Sequence, residues 1–164
     1  MPWLDNPRHF PDVVHPEDNQ LTLERWELGR RLFFETQLSI DNGKSCASCH
    51  LPSNAFASNF PTNQGANGAE GTRNSPSLAN IGYHPYFTRE GGVPTLEMQV
   101  LVPIQEENEF NHHILDIADS LKLDQSYVDA AQEAYGSELN AFVITRSISC
   151  FERTLVSGGS IFDR

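Results

Sequence analysis

The stretch KSCASCHLP, Lys44 to Pro52, places two of the chain's three cysteines three residues apart, with a histidine directly after the second. Cys46-Ala47-Ser48-Cys49-His50 is the C-x-x-C-H pattern of covalent haem attachment. The spacing has a physical reason. Two thiols three apart on one turn reach both vinyl groups of a porphyrin, and the next residue presents its imidazole to the iron. The residues therefore predict one haem c, with Cys46 and Cys49 as anchors and His50 as axial ligand. Two other readings of the same residues are a thiol–disulfide redox pair and half of a zinc site. The first needs no histidine and belongs in a βαβ setting. The second needs two more ligands, for which Cys150 and a distant histidine are a poor supply. Thioether attachment implies an oxidising compartment. A periplasmic or otherwise extracytoplasmic location follows from that chemistry alone, since no signal peptide precedes Pro2.

Working outward, the chain has 164 residues, 38% of them hydrophobic, and a formal net charge of −11. That length fits one domain with or without an extension. The apolar share is low for a chain completing its own core, which fits long polar loops or a large apolar cofactor. The acidity excludes nucleic acid, whose phosphates need Lys and Arg, and favours a neutral or basic protein partner. No run approaches the ~20 apolar residues of a membrane span.

Pro2, Pro7, Pro11 and Pro16 mark residues 1–20 as an extended arm, leaving 21–164 as the folded unit. Thr22 caps a helix expected to reach Glu35, with Trp26, Gly29 and Phe33 on one face. Residues 52–95 are rich in Gly, Asn, Ser and Pro without periodicity. So long a loop region is usually functional, and here it can wrap a cofactor. A helix from Leu96 is expected to stop at Pro103. Others are expected over 111–122, from Tyr127 to Tyr135 with Gly136 as its stop, and from about Ser137 to Ser157. No strand alternation or internal repeat is present. The class is all-α with long irregular loops. Cys150 shares a small-residue stripe with Val143, Ser147 and Thr154, and reads as a buried free thiol.

Several segments in order resemble a known family: LGRRLFFETQLS (Leu28–Ser39), SCASCH (Ser45–His50), AFA (Ala55–Ala57), GTRNSPSLANIGYHPYF (Gly71–Phe87) and FERTLVSG (Phe151–Gly158). Together they are similar to the bacterial dihaem cytochrome c peroxidases and their MauG-like relatives, over nearly all of residues 20–164. The resemblance implies a cytochrome c-like haem domain that reduces hydrogen peroxide to water. A small cytochrome c or cupredoxin would donate electrons through a second haem domain, which this chain does not contain. In the L-E-x-Q segment, Gln99 matches the family's distal glutamine. Glu109 matches its distal glutamate, the group that moves a proton between the peroxide oxygens. Arg73 would neutralise a haem propionate, with Ser75 and Pro76 in the same haem-binding motif. Asn74 matches a residue that helps hold a calcium between the two domains. With its other ligands in the missing domain, calcium here is expected to be weak or absent. A homodimer is a further expected partner arrangement.

The sequence also departs from the family. Arg89-Glu90-Gly91 stands where relatives carry Trp-Asp-Gly, whose tryptophan is thought of as the bridge between haems. Glu106-Glu107-Asn108-Glu109-Phe110 replaces N-P-x-E-M. No histidine occurs between Leu51 and Tyr83, so an open iron position opposite His50 is expected. His84, His112, His113 and Met98 are the alternative ligands, with Met98 otherwise expected in the core. A non-catalytic monohaem electron carrier or sensor, and a MauG-like oxidase acting on an organic or protein substrate, are the rival functions.

Overall fold

The computed structural model describes residues 6–163; the first five residues, Pro2 of the expected arm among them, and Arg164 lie outside the described residues. The described residues are helical, with three isolated β-bridges and no strand. Helix α1 (Leu23–Phe33) is capped by the Thr22 hydroxyl, which accepts from the Arg25 N–H at 3.3 Å. Glu24 in its first turn and Arg30 and Arg31 in its last complement the helix dipole. It buries Leu28, Gly29, Leu32 and Phe33 against α7 (Ala141–Arg153), the longest helix. The two backbones nearly touch: a Cβ on Gly29 would overlap the Ser147 carbonyl. Small residues at this crossing are thus required by geometry.

Helix α7 starts later than Ser137 because the Asn140 side chain accepts from the Val143 N–H at 3.0 Å and fixes the first turn there. It ends at Arg153, where the Thr154 N–H caps Phe151 and Glu152 carbonyls. Helix α6 (Gln125–Tyr135) packs on α1 and stops at Gly136, whose φ of +63° is the left-handed cap that glycine supplies. Helix α5 (Ile114–Leu121) completes the core with Ile114, Ile117 and Leu121.

The expected stop at Pro103 is corrected. Helix α3 (Leu96–Gln99) breaks at Val100, and α4 (Leu101–Gln105) carries Pro103 inside it. Proline acts four residues upstream: it offers no N–H to the Gln99 carbonyl and its ring crowds that oxygen. The chain reverses only at Glu106, where ψ swings to 124°. Residues 106–112 then fold back onto α4, with Phe110 N–H on the Pro103 carbonyl at 3.1 Å and His112 N–H on Ile104 at 2.8 Å.

Residues 50–95 hold only 3₁₀ turns at Pro52–Asn54, Ala66–Gly68 and Ile81–Tyr83. Their far end is tied to the segment after α7 by the Asn80 N–H on the Leu155 carbonyl at 2.7 Å. In the arm, Phe10 packs edge-on to Tyr83 at 5.6 Å, and Asn19 is fully buried. Among the described residues, no helix is long and apolar enough to cross a membrane.

Candidate haem site

Helix α2 is a single turn, Cys46–Cys49. The approach to it is fixed by a polar clamp. The Ser39 hydroxyl accepts from the Gly43 and Lys44 N–H groups at 3.1 and 2.9 Å and donates to Asp41 at 2.9 Å. Asp41 also accepts from the Asn67 N–H at 2.7 Å, joining the approach to the 66–68 turn. Ser48 closes α2 by accepting from the Ser45 N–H at 3.0 Å.

At the end of this turn, His50 is half-buried and its Nδ1 donates to two backbone carbonyls, Phe56 at 2.9 Å and Pro76 at 3.0 Å. Those acceptors settle the tautomer: Nδ1 carries the hydrogen and Nε2 keeps its lone pair. A metal-ligating histidine is ordinarily held in this way. Burial lowers the imidazole pKa, which keeps the ring neutral and ready to ligate. Ala55 and Phe56 both have left-handed backbones, φ of +53° and +57°, which is uncommon outside glycine and asparagine. That strained pair turns the Phe56 carbonyl onto His50.

Both motif thiols are free and half-buried, and their pKa values are raised, by burial first and then by Glu152 for Cys46 and Glu109 for Cys49. Neither is a poised thiolate, which counts against the redox-pair reading. Among the described residues, no cluster of three or more His, Cys, Asp or Glu is placed to hold a metal ion. Two neighbouring thiols and an imidazole with a free Nε2 fit a covalently attached haem.

The Ser75 hydroxyl accepts from the Asn63 amide at 2.7 Å and acts on the Cys49 thiol against its raised pKa; the Pro76 carbonyl is the His50 partner. Both expected motif residues thus touch the anchor. Asn74 clamps the preceding loop, its amide donating to the Ser58 and Phe60 carbonyls at 3.2 and 2.7 Å. Arg73 is exposed and ion-paired with Glu90.

Glu109 lies close enough to both thiols for its charge to act on them. Its backbone carbonyl accepts from the Ala66 N–H at 2.7 Å, and a Cβ on Gly65 would overlap Asn108. The loop after the haem motif and the Glu109 segment are therefore one packed unit. Partial burial by neighbouring atoms, then the Glu106 charge, pushes the Glu109 carboxyl up from its usual range, although the residue keeps solvent-accessible surface. Gln99 is half-buried at the end of α3. Met98 is 51% exposed, correcting its expected place in the core. His84 and His113 are exposed, His113 capping α5 through Nδ1, while His112 is half-buried. Phe33 is core, whereas Phe34 stands 46% exposed. Cys150 is fully buried, as expected. A cleft of about 620 Å³ between the arm and residues 158–162 involves none of these side chains.

The sequence did not reveal a buried network behind the site. Arg153 forks onto both oxygens of Glu97, with its second nitrogen 3.1 Å from Oε2. Asn19 and Ser149 each donate to Oε1 at 3.0 Å. The Glu97 and Arg153 side chains are 9% and 7% exposed. Burial alone would raise the Glu97 carboxyl, but hydrogen bonds from Arg153 and Asn19 and the Arg153 charge outweigh it and hold it at about 2. The available signal was a charged pair, Glu152-Arg153, falling beside Phe151 on an apolar helix stripe.

Comparison with known proteins agrees with this geometry. Residues 23–164 match the family described as di-haem cytochrome c peroxidase. The chain is 34% identical to the methylamine utilization protein MauG of Methylorubrum extorquens, over 96% of this chain and 45% of that protein. It is 32% identical to the cytochrome c551 peroxidase of Pseudomonas aeruginosa, over 92% of this chain and 44% of that protein. A crystal structure of a MauG-like protein associated with microbial copper homeostasis superposes with a TM-score of 0.90 at 32% identity, covering 97% of this chain and 48% of that one. The chain spans about half the length of the relatives it matches. With an all-α fold built around a C-x-x-C-H anchor, it belongs to the di-haem cytochrome c peroxidase family.

Proposed function

We propose that this chain is a peroxidatic haem unit that reduces hydrogen peroxide to water with electrons from a small cytochrome c or cupredoxin. The observation that carries the proposal is Glu109: a carboxyl with a raised pKa, electrostatically coupled to both haem-anchoring thiols. A haem supplies an iron that accepts peroxide oxygen and passes electrons to it. The protein does the rest. His50 would hold the iron through Nε2. Its Nδ1–H, shared between the Phe56 and Pro76 carbonyls, keeps the ring from rotating, and burial disfavours a second proton on it.

Glu109 would take a proton from one peroxide oxygen and deliver it to the other, which would leave as water. A raised carboxyl pKa suits that double duty, since the group must both accept and release a proton. Gln99 would orient the peroxide by hydrogen bonding. Arg73 would neutralise a propionate after leaving Glu90, and Asn74 would contribute to a calcium only with ligands from a partner domain. The electrons would come through a second haem domain, and an extracytoplasmic location follows from thioether chemistry.

The test compares Glu109→Gln with Glu106→Gln and Glu107→Gln in the haem-loaded protein. General acid–base catalysis contributes about 10²–10⁴-fold, so Glu109→Gln should slow peroxide-driven Soret changes by about that factor. Cyanide binding should stay unchanged, because the iron position remains open. Equal rates in all three variants would make Glu109 an ordinary surface charge and favour an electron carrier.

A further inference from the structure

Glu152 breaks three local rules at once. It is an acid in the last turn of α7, where the helix dipole disfavours negative charge. It is 5% exposed, and its Oε2 has no hydrogen-bond partner among the described residues. Buried carboxyl oxygens are almost always paired, so an orphan calls for an explanation. Arg153, its neighbour in sequence, is already engaged by Glu97.

Its surroundings point toward the haem anchor. The Glu152 charge acts on Cys46 of α2, which carries one of the two thioether positions. Phe151, the preceding residue, packs on Phe56 at 6.3 Å, and the Phe56 carbonyl holds His50. Of the charged groups around it, Arg153 from its own helix and Glu97 from α3 act on Glu152 with opposite sign. The other elements packed on α7, namely α1, α5 and the 81–83 turn, contribute apolar core residues such as Leu32, Ile117 and Ile81.

We propose that Glu152 is a proton-binding site coupled to the haem electron, taking up one proton on Oε2 when the iron is reduced and releasing it on oxidation. The balance is one electron from an external reductant and one proton from solvent, both returned in the reverse step. The driving force is electrostatic. Reduction removes one positive charge from the iron, and a unit charge about 10 Å away inside a protein changes proton affinity roughly tenfold. Burial pushes the Glu152 carboxyl up to about 8. The coupling needs a bound haem but not peroxide reactivity, so either idea can fail while the other stands.

The test is the iron midpoint potential of the haem-loaded protein, measured from well below to well above pH 8. The parent potential should fall by about 59 mV in all across a window about one pH unit wide, the tenfold affinity change converted for one electron, with a maximum slope of roughly half of 59 mV per pH. Glu152→Gln should flatten the curve, and Glu109→Gln should keep the fall. A flat parent curve, or a fall that survives in Glu152→Gln, overturns the proposal. Should Glu152→Gln fail to take up haem, reduced-minus-oxidised infrared spectra of Glu109→Gln decide. A protonated-carboxyl band that grows on reduction and shifts in D₂O supports the site, and its absence refutes it.

Discussion

Replacing Glu97 by glutamine should destabilise the haem-loaded protein by about 3–5 kcal/mol at pH 7. Two independent routes give that size. Removing one partner of a buried pair leaves the other charge uncompensated, typically at 3–5 kcal/mol. Separately, a carboxyl held at about 2 against an ordinary 4.5 represents on the order of 3 kcal/mol of folding free energy. Both partners are more than nine-tenths buried, so solvent screening removes little of this. For a domain of this size the loss corresponds to roughly 10 °C in melting temperature. The pH dependence has a definite sign. The folded pKa is depressed, so the stabilisation is full above 4.5 and disappears as pH falls toward 2. Urea titrations of parent and Glu97→Gln at pH 7 and near pH 3 test both parts. A gap that closes on acidification supports the ion pair. A variant within about 0.5 kcal/mol of the parent at pH 7 would refute it, and a gap unaffected by pH would assign the loss to packing.

Haem should remain attached through denaturation and acidic organic extraction, and Cys46→Ala with Cys49→Ala should release it; an extractable pigment in the parent would contradict thioether anchoring. The ferric protein should be largely high-spin and bind cyanide readily, because no histidine lies in the 51–82 loop. A low-spin bis-histidine spectrum would instead direct attention to His84, His112 or His113. Gly29→Ala should cost about 1–3 kcal/mol or more, because the new methyl overlaps the Ser147 carbonyl and α1 must move away from α7. Unchanged thermal melting in that variant would show the crossing to be looser than described.

What could be read from the sequence was local. The anchor declared itself because C-x-x-C-H is contiguous, and α1 and α6 because Thr22 and Gly136 are strong caps. Helix α7 offered two cap-competent residues, Ser137 and Asn140, and only the folded geometry shows that Asn140 bonds the Val143 N–H. Pro103 misled because its effect falls at the carbonyl four residues earlier, not at the proline itself. The acceptors of His50 are backbone carbonyls of Phe56 and Pro76, and a carbonyl has no side-chain signature. The Glu97–Arg153–Asn19 network joins three segments distant in sequence, one of them in a proline-rich arm that reads as irregular. Long-range polar pairing of this kind leaves only a charge on an apolar stripe as its trace.

The most direct measurement of the account is anaerobic mixing of the reduced, haem-loaded chain with substoichiometric hydrogen peroxide, followed at the Soret band. Reduction of peroxide to water consumes two electrons, so each peroxide should oxidise two reduced haems rapidly, and Glu109→Gln should slow the reaction by about 10²–10⁴-fold. Reduced haem that stays unreacted, or reacts equally fast without Glu109, would contradict a peroxidatic role and leave an electron carrier in its place.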